Sequence, residues 1–171
     1  MDIIIEKAGP QDLDTVEELY SAMCGYMEDK PFNPNFRRGG FPSRENAEEY
    51  LAADGLYITR SGGGLAGSIA LTASPSAEED WPGEAGVFYV HMVAVHPDHL
   101  RQGVASAMLD FVAKEAAARG GSILRVYVWE GNDPAIRTYE KNGFARTGKE
   151  DIGLREFGLD WFYLYEKRLD G

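Results

Sequence analysis

Val93-Ala94-Val95-His96-Pro97-Asp98-His99-Leu100-Arg101-Gln102-Gly103-Val104-Ala105-Ser106 is the stretch on which the fold turns. An apolar run stops at a proline, a short polar loop follows, and a helical pattern begins at once, so the segment reads as strand, loop and helix. Gly103 and the small residues at 105 to 107 let another group come close to the backbone. The first turn of a helix carries N–H groups without intrahelical partners, and the helix dipole places positive potential there. A phosphate is favoured at such a turn, and the expected ligand is anionic at one end.

Outward from this stretch the punctuation is regular. Val104, Met108, Leu109, Phe111, Val112 and Ala116 recur at helical spacing, and Gly120-Gly121 ends the helix. Ile123 to Val128 reads as a buried strand, so strand, helix and strand imply a right-handed crossover between parallel strands. Ligands of such units bind at the carboxyl ends of the strands, where the opening loop lies. Asn132-Asp133-Pro134 starts another helix, which holds Ile136 and Tyr139 and stops at Asn142-Gly143 before Phe144 returns to the core. Trp161 to Tyr165 reads as an aromatic strand that completes the sheet.

Upstream, Val87 to Val95 is the longest strand-like run. Tyr89 and His91, two apart, share a face with each other and, in a strand without a bulge, with Val93 and Val95. Residues 74–86 form an acidic loop, and Leu56 to Thr59 and Leu65 to Ala73 form a hairpin across the glycines of Ser61 to Gly64. Ile3 to Glu6 is a first strand, and Asp12 to Glu28 carries apolar residues at helical intervals. The 29–42 loop sets Phe32, Phe36 and Phe41 among Arg37 and Arg38, and Ser43 caps a helix running to about Ala53.

The chain has 171 residues, a length expected for one domain spanning 1–171. Its net charge of −11 disfavours a nucleic-acid binder and suits cationic partners such as amines. Cys24 is the one cysteine, so a multi-cysteine zinc cluster is excluded; on an apolar helix face it reads as core filling, poorly placed for a covalent intermediate. His91, His96 and His99 lack a metal-binding motif, and the last two are expected to be exposed. With no signal-peptide pattern and no membrane-length apolar run, a cytoplasmic location is expected.

Two segments together resemble the GCN5-related N-acetyltransferase (GNAT) family: Val93-Ala94-Val95-His96-Pro97 leading into Arg101-Gln102-Gly103-Val104-Ala105, and Asn132-Asp133-Pro134-Ala135-Ile136-Arg137-Thr138-Tyr139-Glu140-Lys141-Asn142-Gly143-Phe144. The resemblance implies a GNAT fold of α/β class, with a mixed central sheet of six to seven strands and helices on both faces. It implies acetyl-CoA as acyl donor, its pyrophosphate wrapped by the loop from Arg101 through Gln102, Gly103, Val104 and Ala105 to Ser106. Leu100 stands where the family's loop pattern usually starts with a polar residue, so binding is expected to rest on backbone N–H groups. Val93, Ala94 and Val95 match the strand that pairs with the pantetheine arm, and Asn132 a cofactor contact. Tyr139 matches a tyrosine near the cofactor sulfur.

The resemblance implies an N-acetyltransferase acting on a small-molecule or peptide amine by direct attack in a ternary complex. A backbone N–H at 93 to 95 could polarise the carbonyl, and Tyr139 could protonate the thiolate. His91 is the first choice of base, since an ordinary histidine accepts a proton near pH 6.5, with Tyr89 holding a water and Glu84 a more distant candidate. Phe36, Phe41, Trp81 and Glu84 are the candidate acceptor-binding residues, and carboxylates there suit a cationic amine. A homodimer is left open. The rival readings are an acyl-CoA sensor or regulatory module without turnover and a purely structural domain.

Overall fold

The computed structural model describes residues 2–73 and 85–169. In chain order the elements are β1 (Ile3–Lys7), α1 (Leu13–Met27), α2 (Arg44–Ala52), β2 (Leu56–Ser61), β3 (Gly64–Thr72), β4 (Val87–Val95), α3 (Val104–Ala118), β5 (Ile123–Trp129), α4 (Asp133–Lys141), β6 (Ala145–Glu150) and β7 (Phe162–Arg168). The strands make one mixed sheet of seven, ordered β1-β2-β3-β4-β5-β7-β6. Only β4 and β5 run parallel, joined through α3.

Helices cover both faces. On one, Val16, Leu19, Tyr20 and Met23 of α1 pack with Leu56 and Ile58 of β2 and Ala94 of β4. On the other, Val104, Met108, Leu109 and Val112 of α3 pack with Ile69, Leu71, Leu124, Val126 and Val128. Gly67 makes this second contact possible, because a Cβ there would stand 2.9 Å from the Ala94 carbonyl and 3.0 Å from Met108 Cε. The helix starts follow their caps: Asn46 Oδ1 accepts the Ser43 N–H at 2.8 Å, and Asp12 Oδ2 that of Gly9 at 2.8 Å. Gly62 and Gly63 hold φ of 62° and 86° between the paired Ser61 and Gly64, the two-residue hairpin turn that glycine permits.

One polar row crosses the buried sheet in register. Thr72 pairs with Tyr89, Tyr89 with Arg125, and Arg125 with Glu166. Arg125 is buried and its Nε is ion-paired to Glu166, while its Nη1 donates to the Tyr89 hydroxyl at 3.4 Å.

Two sequence expectations change. Strand β4 carries a bulge: Ala94 pairs with Ser68 and His91 with Ala70, so β4 has one residue more than β3 between these pairs, and Met92 takes φ 44°. Val93 and Val95 therefore face α3, and Tyr89 and His91 do not share their face. His96 and His99 are half-buried rather than exposed, because the loop folds into a short 3-10 turn at Pro97–His99.

Candidate active site

The parallel pairing of β4 with β5 is short. It consists of Val87 with Ile123, Phe88 with Leu124 and Tyr89 with Arg125. Past these, β5 continues along β7 as far as Trp129 opposite Phe162, while β4 continues along β3. The two strands diverge, and a gap opens between residues 90–95 and 126–129. The His96 N–H donates to the Ala66 carbonyl at 2.8 Å. By strand alternation the N–H and C=O groups of Val95 and Val93 turn away from β3, into the gap.

At the head of the gap lies the loop into α3. Arg101 and Gly103 adopt positive φ of 60° and 80°, and none of the N–H groups of residues 101–106 makes a hydrogen bond of normal geometry to a described residue. Left-handed residues within a turn curl successive N–H groups around one concavity, an anion nest, and the α3 dipole adds to it. A Cβ at Gly103 would meet nothing within 4 Å, so the loop faces open space. Ser106 Oγ accepts from Asn142 Nδ2 at 3.0 Å, tying α3 to α4. Asn132 Oδ1 accepts the Ala135 N–H at 3.4 Å, so this residue caps α4.

His91 is 9% exposed, with Nε2 2.8 Å from Thr72 Oγ1 and its ring stacked on Tyr50 at 5.7 Å. Tyr89 stacks on His91 at 6.4 Å. Tyr139, on α4, is buried among Phe144 and Tyr165 on the α3 side of the sheet, and burial pushes its phenol well above the ordinary range. Its hydroxyl makes no hydrogen bond to a described residue. The structure thus divides the catalytic candidates: His91 and Tyr89 lie on one face of the sheet and Tyr139 on the other, with the gap between β4 and β5 separating them.

On the α1 face a cleft of about 630 Å³ opens beside Trp129, the last residue of β5. Trp129 lies four positions past Arg125, where pairing to β4 ends, so the cleft meets the wide end of the gap roughly 13 Å along the strand. Phe36 lines it, as expected; Phe41 does not, being 47% exposed with its ring 5.8 Å from that of Phe36. Trp81 and the acidic residue expected there, Glu84, lie outside the described residues. The described lining holds Lys30, Arg37 and Arg38 with the carboxylate of Glu28, and Lys30 is ion-paired to Asp29 at 3.1 Å. Cys24 is buried as expected, yet it also borders the cleft. Burial raises its thiol pKa more than nearby Arg38 lowers it, which leaves the thiol protonated and a poor nucleophile.

Thr72, Tyr50, Arg125 and the two cleft arginines are site residues that sequence reasoning passed over. A signal existed for Arg125, the one charge inside an otherwise apolar strand. Among the described residues there is no group of three or more histidine, cysteine or carboxylate side chains suited to a metal ion, and no helix is long and apolar enough to cross a membrane.

The sequence model of the acetyltransferase (GNAT) family matches residues 16–144. Among solved structures, a GNAT-family acetyltransferase from Listeria monocytogenes superposes with a TM-score of 0.78 at 19% identity, covering 97% of this chain and 94% of that one. A PaiA N-acetyltransferase from Thermoplasma acidophilum, in complex with coenzyme A, gives 0.74 at 19% identity over 98% and 99%. A putative acetyltransferase from Salmonella typhimurium, with its cofactor acetyl-CoA, gives 0.73 at 18% over 98% and 94%. At these identities the likeness to the solved structures is one of fold.

Proposed function

We propose that this chain, which belongs to the acetyltransferase (GNAT) family, passes an acetyl group from acetyl-CoA to a primary amine by direct attack within a ternary complex. The observation that carries this reading is the gap between β4 and β5 headed by six N–H groups, at residues 101–106, that make no normal hydrogen bond to a described residue. Those amides, with Arg101, Gln102, Gly103, Val104, Ala105 and Ser106 forming the nest, fit a pyrophosphate, and the unpaired edge at Val93 to Val95 fits an amide-bearing arm. Relatives of the same fold solved with coenzyme A or acetyl-CoA support that fit.

Acetyl-CoA supplies the activated acyl group as a thioester. The Val93 and Val95 N–H groups, aimed into the gap, stabilise the negative charge that grows on the carbonyl oxygen during attack. His91, held by Thr72 and Tyr50, takes the proton that the amine loses, directly or through a water held at Tyr89. As the carbon–sulfur bond breaks, Tyr139 delivers a proton to sulfur. Its raised pKa keeps the phenol protonated at any working pH, and a thiolate released into the same dry surroundings has its own proton affinity raised, so the transfer is feasible. Cys24 stays protonated and takes no acyl group.

The test joins binding to turnover. Millimolar coenzyme A should raise the melting temperature, and amines should drive thiol release from acetyl-CoA. No stabilisation by coenzyme A would remove the reading; stabilisation without thiol release from any amine would instead make the chain a sensor of acyl-CoA.

A further inference from the structure

Among the described residues, the cleft at Trp129 holds more cations than carboxylates, the reverse of the molecule as a whole. Carboxylates outnumber cations 28 to 17 along the chain, and Arg44, Arg60, Arg119, Arg125 and Arg155 each face an acidic partner. Arg37 and Arg38, side by side at the cleft, face none among the described residues. Both are nevertheless held in place. Arg37 donates from Nε to Asn35 Oδ1 at 3.0 Å, and Arg38 from Nε to the Ser21 carbonyl at 3.2 Å. Gly25 lets the Arg38 guanidinium lie on α1, since a Cβ there would overlap it. Asn33 braces the loop by accepting the Phe36 N–H at 2.8 Å and donating to the Phe36 carbonyl at 3.2 Å. Each guanidinium is thus tethered through its inner nitrogen, and its terminal nitrogens make no hydrogen bond to a described residue, which leaves them available to a carboxylate.

Among the described residues, Glu28 is the one carboxylate this lining offers to a purely cationic amine. The remaining lining mixes the polar Asn33 and Asn35 with Phe36, Trp129 and Leu159, and these last three offer contacts to an apolar side chain. We infer that the acceptor is a free amino acid with an apolar side chain, its carboxylate held by Arg37 and Arg38 and its amine turned toward the gap beyond Trp129. The inference rests on the acyl-transfer reading above and specifies its substrate class.

The experiment compares L-leucine, L-methionine and L-phenylalanine, each with its amide and its decarboxylated amine, on the full chain and on the Arg37→Gln/Arg38→Gln double variant. The free acids should exceed their neutral-tailed partners in kcat/KM by about tenfold or more, the scale of a charge-assisted contact. The double variant should lose that preference while keeping its melting-temperature rise with coenzyme A. Equal or better turnover of the amides and amines, or a preference that survives the double substitution, overturns the inference. Binding supplies a readout that needs no turnover: with coenzyme A present, the N-acetyl amino acids should raise the melting temperature further and the N-acetylated amines should not. The same response to both sets contradicts the inference. Failure of the acyl-transfer reading shows separately, as no response to coenzyme A and no thiol release with any amine.

Discussion

His91 and Tyr139 approach the gap from opposite faces of the sheet, which suits them to opposite proton transfers. His91→Gln should lower kcat/KM by about 10²-fold and flatten the acid limb of the pH–rate profile. The sign follows from the role: a base works unprotonated, so wild-type activity should fall as the pH drops far enough to protonate it. An acid limb that persists in the variant would move the base elsewhere. Tyr139→Phe should reduce kcat by at least about tenfold with little change in the KM for acetyl-CoA, and an unchanged kcat would remove Tyr139 as the acid. At this scale the sequence was legible where backbone conformation dictates residue type. Gly103, with φ 80°, stood out because few other residues take that conformation. Arg37 and Arg38 did not, because charges in a loop follow no period and their free ends appear only once Asn35 and Ser21 are seen to hold their Nε atoms.

Strand β4 does three things within nine residues: it anchors the sheet at Val87 to Tyr89, bulges at Met92, and presents a bare edge at Val93 to Val95. The bulge was illegible, since it is a relation between β4 and β3 rather than a property of either. Strand β6, Ala-Arg-Thr-Gly-Lys-Glu, was missed for a related reason: it is an exposed edge strand without apolar alternation, formed by pairing with β7. The opposite case is α3, whose apolar stripe was plain in the sequence and whose close seat on the sheet depends on Gly67. Gly67→Val should destabilise the protein by about 1–3 kcal/mol in denaturant unfolding, because the side chain would meet the Ala94 carbonyl and Met108. A neutral effect would mean α3 can lift without penalty. The polar row is more sensitive. Arg125→Ala leaves Glu166 without its partner between β5 and β6 and should cost about 3 kcal/mol, whereas exposed pairs such as Lys114 with Asp110 should cost well under 1 kcal/mol.

Across the whole molecule, buried phenols tie stability to alkaline pH. Burial raises the pKa of Tyr20 and Tyr139, and burial together with a 2.9 Å hydrogen bond to Glu140 pushes Tyr165 up to about 12. An unfolded phenol titrates near 10. Their contribution is therefore whole below pH of about 10 and is lost as the pH climbs from there toward the folded values. The melting temperature should be level up to that point and then fall, with these phenols ionising in the absorbance titration only as the protein unfolds; free titration below it would contradict the assignment. The order of strands and helices was legible because periodicity and glycine punctuation are local. The divergence of β4 from β5 and the cationic cleft depend on which segments meet, and those appeared only in three dimensions. Direct transfer within a ternary complex is tested by the initial rate of thiol release from acetyl-CoA with both substrates varied, alongside intact-mass analysis of protein held with acetyl-CoA alone. Direct transfer gives intersecting rate patterns and an unmodified protein mass; parallel patterns with a stable acetyl adduct on the chain would overturn it.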